Sequence, residues 1–277
     1  VRTLYVVGTP IGNLGDISVR ARETLAAASR VFAEDTRRTK ALLTHLGISG
    51  KSVVRYDAHA TPERALRLVE GIGDGESVAL VTDAGMPGVS DPGAELVRAA
   101  ASHGVRVVPI PGPSAVTAAL AASGLVGGPF VFLAFLPRRG KKRRAALERI
   151  AHSAEPVVFF EAPSRVAETL RELAELDSAR PAALCRELTK LHEEIIRGTL
   201  GELAALEREW LGEVTLVVEA GSPRAPEDAA DPADVDREIA ERLVQGVHPR
   251  ELSSELARRL GIPRRDAYQR VLAVKNG

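Results

Sequence analysis

The chain has 277 residues, 45% of them hydrophobic, and its 37 basic and 37 acidic side chains give a formal net charge of zero. That length points to two α/β units, or two plus a small module, and the charge balance excludes a global field for nucleic acid, leaving only local patches. A single cysteine excludes an internal disulfide, no apolar run reaches the roughly 18 residues of a membrane span, and one Trp, three Tyr and six Phe are too few for an extended base-stacking platform. With no charged, apolar-cored leader in the sequence, the expected location is cytoplasmic. Cys185, in the run Ala182–Arg186, reads as a small buried hydrophobe.

Leu4 to Val7 reads as a strand, followed by the loop GTPIGNLGD and a helix from about Ser18 to Ala28. Gly8, Gly12 and Gly15 point to backbone lying against a ligand. Their spacing is not G-x-G-x-x-G, however, and Pro10 interrupts the amide series that would hold a pyrophosphate. A second strand, Arg30–Ala33, ends on Glu34 and Asp35, where a Rossmann protein places its ribose carboxylate. A nicotinamide-dependent enzyme is therefore a competitor, although no Tyr-x-x-x-Lys pair supports it. The run AEDTRRT, Ala33 to Thr39, reads equally well as a site or as a helix start with acids at its N-terminus. After a strand near Val53–Tyr56, Thr61 can cap a helix opened by Pro62, and the loop residue His59 reads as surface.

The stretch VALVTDAGMPGVSDPG, from Val78 to Gly93, organises the first half. A β-branched strand stops at Thr82-Asp83, and a loop of about ten residues with three glycines and two prolines follows, where roughly four would make a plain connection. Ligands of open α/β sheets collect outside the carboxyl ends of strands, so this loop reads as a cradle with Asp83 and Asp91 on its rim. The plainer reading has Ser90 or Asp91 capping a helix that runs from Pro92 to about His103. Val105–Ile110 and PGPSA follow; Ser114 can cap the next helix and reach a site. That helix ends near Gly124, where the boundary between two α/β halves is expected.

Phe130–Phe135 is a strand, and after it Arg138 to Arg144 holds six basic residues in seven (Arg138, Arg139, Lys141, Lys142, Arg143 and Arg144). A helix start would explain two or three; six without an acid point to a phosphate-contacting loop. Val157–Phe160 is a strand, with a helix to about Leu176. Ala182–Arg186, Glu193–Arg197 and Val214–Glu219 read as partly antiparallel strands, with Leu200–Glu209 helical between them. Gly221 to Asp234 is a linker by composition. Helices near Val235–Gln245, Pro249–Leu260 and Pro263–Val274 follow, the last two joined by a tight turn at Gly261–Pro263, as in a helix-turn-helix. No His/Cys cluster has metal-ligand spacing.

Taken in order, TPIGNLGDIS, AEDTRRTKALLTHLGI, VTDAGMPGVSDPG, VVPIPGPSA, FEAPSR and CRELTK resemble the tetrapyrrole-methylase-type S-adenosylmethionine-dependent methyltransferases. Within that family they resemble the ribosomal small subunit methyltransferase I group, which 2′-O-methylates a cytidine of 16S rRNA. The resemblance spans Leu4 to about Gly221, and the terminal helices resemble that group's helix-turn-helix extension. It implies two α/β domains, 1–124 and 125–221, with the cofactor in the cleft between them, a linker over 222–234 and a helical module over 235–277. It also implies a homodimer. By motif, Pro10, Thr82, Asp83, Ala84, Pro87, Ser114 and Ala115 would hold S-adenosylmethionine from the first domain, and Glu161 and Leu188 from the second.

Two departures stand out. Tetrapyrrole-acting relatives carry GDP-x-x-Y/F-G where this chain has DAGMPGVSDPG, which favours RNA over a corrin or porphyrin. Ser164 stands where a histidine is expected among ribosomal relatives. A ribose hydroxyl needs a base or a charge-stabilising partner. Glu34, Asp35, His59 and Glu187 are candidate bases and Arg37 and Lys190 candidate stabilisers, with Glu34 or Asp35 preferred. The competing functions are a tetrapyrrole C-methyltransferase and a non-catalytic ribosome assembly or RNA-binding protein.

Overall fold

The computed structural model describes residues 1–221, 232–260 and 264–276, which fall into two compact units, Val1–Ala220 and Gly221–Gly277. In the first half of the larger unit, short apolar strands alternate with amphipathic helices. They are β1 (Thr3–Val7), α1 (Val19–Ala27), β2 (Arg30–Ala33), α2 (Thr36–His45), β3 (Ser52–Arg55), α3 (Pro62–Glu70), β4 (Ser77–Val81), α4 (Ala94–Ser102), β5 (Arg106–Ile110) and α5 (Ala115–Ser123). A crossover helix between successive strands makes the sheet parallel, in the order β3-β2-β4-β1-β5. The central strands are covered on both faces, which is why they read as continuous apolar runs. One face packs Leu4, Phe32 and Leu80 against Leu68 and Leu96, and the other packs Val7, Val31 and Val81 against Leu25 and Leu43.

Helix starts follow local chemistry. Ser18, Asp35 and Thr61 accept backbone N–H bonds at the starts of α1, α2 and α3, and Pro62 opens α3. Helix α4 corrects the expectation. Neither Ser90 nor Asp91 caps it, because it begins after Gly93, at a φ of +146° that L side chains rarely adopt. Asp91 is thereby released from a capping role.

The second half contains β6 (Val131–Phe135), α6 (Lys141–Ala151), β7 (Val157–Glu161), α7 (Pro163–Leu176), β8 (Pro181–Arg186), β9 (Glu194–Thr199), α8 (Leu200–Ala204) and β10 (Val214–Val218). Its sheet has the order β6-β7-β10-β8-β9. The β6–β7 pair is parallel and the other pairs are antiparallel. The helix expected over Leu200–Glu209 stops at Ala204; Leu206 and Trp210 still reach the core, but from irregular chain.

Although it closes the first half, α5 packs on the second sheet, against β7, β8 and β10. Val116 and Leu120 of α5 join Ile11, Leu188, Cys185 and Val217 in an apolar seam between the halves. The Arg197 guanidinium adds hydrogen bonds to the carbonyls of Ala122 and Ser123. Residues 1–220 are thus one compact body with two sheets.

The smaller unit consists of α9 (Pro232–Val244), α10 (Pro249–Leu260) and α11 (Arg264–Asn276). Val235, Ile239, Leu252, Leu256, Ala267 and Val271 bury against one another. Arg242–Glu255 at 3.0 Å and Arg270–Asp236 at 2.8 Å tie α9 to its two neighbours. The expected linker over 222–234 lies for the most part outside the described residues, as does the turn at 261–263.

Candidate active site

The loops after β1, β4 and β5 leave the same edge of the parallel sheet and are stitched together. Thr9 and Gly85 exchange backbone hydrogen bonds, Thr9 N–H to Gly85 O at 2.9 Å and Gly85 N–H to Thr9 O at 3.1 Å. The Thr9 hydroxyl donates to the Thr82 carbonyl at 3.1 Å. A Cβ on Gly8 would stand 2.7 Å from both the Gly112 Cα and the Met86 sulfur, so the first and third loops approach this closely only because both residues lack side chains. These loops wall a cleft of about 370 Å³. Ile11, Ala84, Met86, Asp91, Ser114 and Ala115 line it from the first half, and Phe135, Phe160, Ala162 and Val214 from the second. A smaller cavity of about 260 Å³ is bordered by Thr9, Pro10, Arg38, Leu42, Thr82 and Asp83.

Strand neighbourhood brings three acids together. Because β2 and β4 are adjacent, Glu34 and Asp83 meet at their ends. The Asp83 N–H donates to Glu34 Oε2 at 3.4 Å and the Asp35 N–H to Asp83 Oδ1 at 3.1 Å. Arg38 of α2 lies 3.4 Å from Asp83 Oδ2. Burial raises the Glu34 carboxyl above its ordinary value, against the lowering effect of the Asp83 backbone hydrogen bond. Asp35 is the opposite case. It caps α2 and pairs with the exposed Arg37 at 3.1 Å, and that side-chain bond holds it at about 2. A carboxylate so engaged is a weak base, which leaves Glu34 as the less engaged of the two preferred candidates.

Asp91 is the third acid, which the sequence marked as a rim residue or a helix cap. The loop turns at Ser90, whose φ is +63°, and sets Asp91 on the cleft wall. Burial, and then the charges of Glu34 and Asp83, push it up to about 6.

The remaining expected residues separate. Ala84, Ser114, Ala115 and Glu161 line the larger cleft, and Pro10, Thr82 and Asp83 the smaller cavity. Pro87 is buried beneath the loop, against Gly93. Leu188 is part of the apolar seam. The Glu161 carboxylate is fully buried and occupied: it accepts from the Ala162 N–H at 2.8 Å and the Thr169 hydroxyl at 2.7 Å, and pairs with Arg165 at 2.5 Å. It therefore holds the wall in place rather than presenting a free charge. Lys190 is clamped by Glu187 at 2.7 Å and Glu213 at 3.2 Å; it stands behind Glu213, which does line the cleft. Its bond holds Glu187 below the usual carboxylate range, which removes Glu187 as a base. His59 is exposed in its loop. Burial pushes the Cys185 thiol up to about 11, as an inert core residue requires.

The basic run needs one correction. Arg138, Arg139, Lys141, Lys142 and Arg144 are exposed, but Arg143 is only 5% exposed and turns inward, to Thr169, Glu172 and Glu161. It is not available to a phosphate. The signal was present in the sequence, because Arg143 shares the buried face of α6 with Leu147 and Ile150 at helical spacing.

Residues 3–204 match the model of the family Tetrapyrrole (Corrin/Porphyrin) Methylases. The chain belongs to this family. Among tetrapyrrole methylases, it is 44% identical over 277 residues to the ribosomal RNA small subunit methyltransferase I of Mesorhizobium japonicum, covering 99% of this chain and 92% of that protein. It is 42% identical over 270 residues to the enzyme of the same name from Halalkalibacterium halodurans, covering 96% and 93%. Solved structures of the methylase fold agree. Diphthine synthase matches with a TM-score of 0.59 at 19% identity, over 79% of this chain and 90% of that one. The Thermus thermophilus uroporphyrin-III C-methyltransferase complexed with S-adenosyl homocysteine matches with a TM-score of 0.55 at 21% identity, over 79% and 97%.

The residues of this methylase's cleft suit S-adenosylmethionine. Ile11, Val116, Phe160 and Val214 offer an apolar bed for a flat ring, Ser114 and Thr215 offer hydroxyls, and Asp91 offers negative charge for a sulfonium. Beside them the Thr82 hydroxyl is buried without a hydrogen-bond partner, which a ligand atom would satisfy.

Proposed function

We propose that this protein transfers a methyl group from S-adenosylmethionine to the 2′-hydroxyl of a cytidine ribose in 16S rRNA. It acts on the small ribosomal subunit, in the cytoplasm, as a homodimer. The observation that carries this reading is the convergence of Ala84, Ser114, Ala115 and Asp91 on one cleft completed by the second sheet. Pro10, Thr82 and Asp83 border the smaller cavity on the same stitched loops, and Leu188 and Glu161 support the opposite wall.

Bound there, S-adenosylmethionine supplies the electrophilic methyl group. Everything else falls to the chain. Methyl transfer from a sulfonium is an in-line displacement in which charge disappears, so alignment and exclusion of water matter most. The cross-bonded Thr9–Gly85 loops and the packed seam under Leu188 supply rigidity, and the apolar walls exclude water. Glu34, raised by burial, stands with Asp83 at the strand ends beside the cleft. The exposed Arg138, Arg139, Lys141, Lys142 and Arg144 engage rRNA phosphates, and Arg37, its side chain 91% exposed, can join them.

Two other readings were open from the sequence: a tetrapyrrole C-methyltransferase and a non-catalytic assembly protein. The DAGMPGVSDPG loop and the five exposed basic residues favour RNA over a tetrapyrrole, and the intact cleft favours turnover. Methyl-labelled cofactor is supplied with either small ribosomal subunits or a porphyrinogen, and the RNA is digested to nucleosides. Label in 2′-O-methylcytidine is the expected result. Label in the porphyrinogen, or in neither, overturns the reading.

A further inference from the structure

The cleft contains one carboxylate to which the fold assigns no task. Around it the other acids are occupied. Glu161 is consumed by Arg165 and Thr169, Asp35 caps α2, and Glu213 faces Lys190. Asp83 accepts from the Asp35 N–H and faces Arg38, and Glu34 accepts from the Asp83 N–H. Asp91 has no hydrogen bond or ion pair among the described residues; it meets only the charges of Glu34 and Asp83. The left-handed Ser90 and the glycine start of α4 hold it on the wall it shares with Ser114 and Ala84. A non-glycine residue with positive φ beside an unpartnered carboxylate marks a loop shaped for something other than packing.

We propose that Asp91 is the general base that takes the proton from the hydroxyl nucleophile during methyl transfer. The assignment rests on the methyl-transfer reading above. As the hydroxyl oxygen bonds to the methyl carbon, its O–H bond breaks and the proton passes to an Asp91 oxygen. The methyl–sulfur bond breaks and its electron pair stays on sulfur. A sulfonium, an alcohol and a carboxylate enter; a neutral thioether, an ether and a carboxylic acid leave.

Electrostatics suit the task. Burial and the Glu34 and Asp83 charges lift Asp91 to about 6, so at neutral pH it is ionised yet still basic. Glu161 and Glu213 line the same cleft, but the first is matched by Arg143 and Arg165 and the second by Lys190. Arg38 is directed to Asp83. Among the described residues no cation pairs with Asp91 itself, so the Glu34 and Asp83 charges act on it without a counter-ion of its own.

The test compares the full chain with Asp91→Asn and Glu34→Gln. Difference infrared titration of wild type against Asp91→Asn should show one carboxyl titrating near 6, and Glu34→Gln should move it downward. In single-turnover methylation of small ribosomal subunits, Asp91→Asn should lower the rate by about 10²–10⁴-fold. It should also abolish the acid limb of the wild-type pH profile, while calorimetric affinity for S-adenosyl homocysteine stays within about threefold, well under the tenfold step that 1.4 kcal/mol represents. An Asp91 that titrates in the ordinary carboxylate range, or an Asp91→Asn variant as fast as an active wild type, overturns the assignment alone. A wild type that methylates no RNA overturns the methyl-transfer reading and the base with it.

Discussion

Arg143 and Glu161 form an ion pair at 3.7 Å in which both side chains are buried, inside the segment whose other basic residues are all exposed. Arg143 also binds Glu172 and the Thr169 hydroxyl, so the pair joins α6 and α7 to the end of β7, at the cleft wall. Removing one partner of a buried pair costs about 3–5 kcal/mol when the other charge is left uncompensated; here Arg165 still faces Glu161, so the low end of that range applies. Arg143→Gln should therefore lower unfolding free energy by roughly 3 kcal/mol, whereas Arg144→Gln, one residue along, should stay within about 0.5 kcal/mol. Urea unfolding of the two variants checks this, and indistinguishable midpoints would contradict the packing role.

The complementary expectation concerns the residues that remain on the surface. Glutamine at Arg138, Arg139, Lys141, Lys142 and Arg144, with Arg143 left in place, removes charge without opening the core. For every phosphate that these side chains neutralise in the wild type, the slope of log affinity against log salt should become shallower by roughly 0.7–0.9. Filter binding to small ribosomal subunits across a salt series reads that slope, and cofactor affinity should not move. An unchanged slope would return these five residues to the role of an ordinary solvated surface.

Asp91 also makes a prediction about stability. Its folded value of about 6 lies above the unfolded aspartate value of about 3.9. Between those pH values the native state binds more protons than the unfolded one, so stability falls as pH rises through this window. Above it the penalty is complete. Replacing the carboxylate with an amide removes the penalty, so Asp91→Asn should be more stable than wild type at pH 7.5. The gain is about 1 kcal/mol once solvent screening of a half-buried group is allowed for, and it should vanish near pH 3.5. Thermal melts at the two pH values measure it. A variant that gains stability while losing turnover is the pattern expected where a fold tolerates an unfavourable charge for function; a destabilised Asp91→Asn at neutral pH would argue for a structural carboxylate.

Much of this architecture is legible in the chain itself. Strand ends at Val81 and Ile110 are visible from β-branched runs that give way to loops of glycine and proline, the end at Ala33 from the acids Glu34 and Asp35 that follow it, and the cap at Thr61 from short-range hydrogen-bond chemistry. The family motifs mark the loops that meet at the cleft. What stays hidden depends on long-range neighbourhood. That Glu34, Asp83 and Asp91 act on one another follows from β2 pairing with β4, a fact of topology rather than of either segment. Asp91 looks like a cap because Asp-Pro-Gly before a helix often is one; the φ of Gly93 decides otherwise. Helix α5 looks like the last element of the first half, and only the second sheet reveals which surface it covers.

The final prediction concerns the helices after residue 231. The tail from His248 to Gly277 has seven basic and three acidic residues, which suits a module that grips rRNA or ribosomal protein. The alternative reading of the sequence is a helical stripe of Leu252, Leu256, Leu260 and Val271 covering an apolar face of the catalytic body; the Leu260 side chain lies outside the described residues, leaving Leu252, Leu256 and Val271. In the structure these three bury against Val235, Ile239 and Ala267 within their own unit. Residues 1–220 meanwhile close their cores from their own strands and helices. A chain ending at Ala220 should therefore remain soluble, melt within a few degrees of the full chain (roughly the shift that 1 kcal/mol produces in a domain of this size), and bind S-adenosyl homocysteine with undiminished affinity. Its methylation of small ribosomal subunits should fall through weaker substrate binding, seen as a raised KM with kcat largely kept. The melt and the calorimetry need no substrate, so they separate a folding defect from a recognition defect on one sample. If the shortened chain loses cofactor affinity, the terminal helices are part of the catalytic body after all.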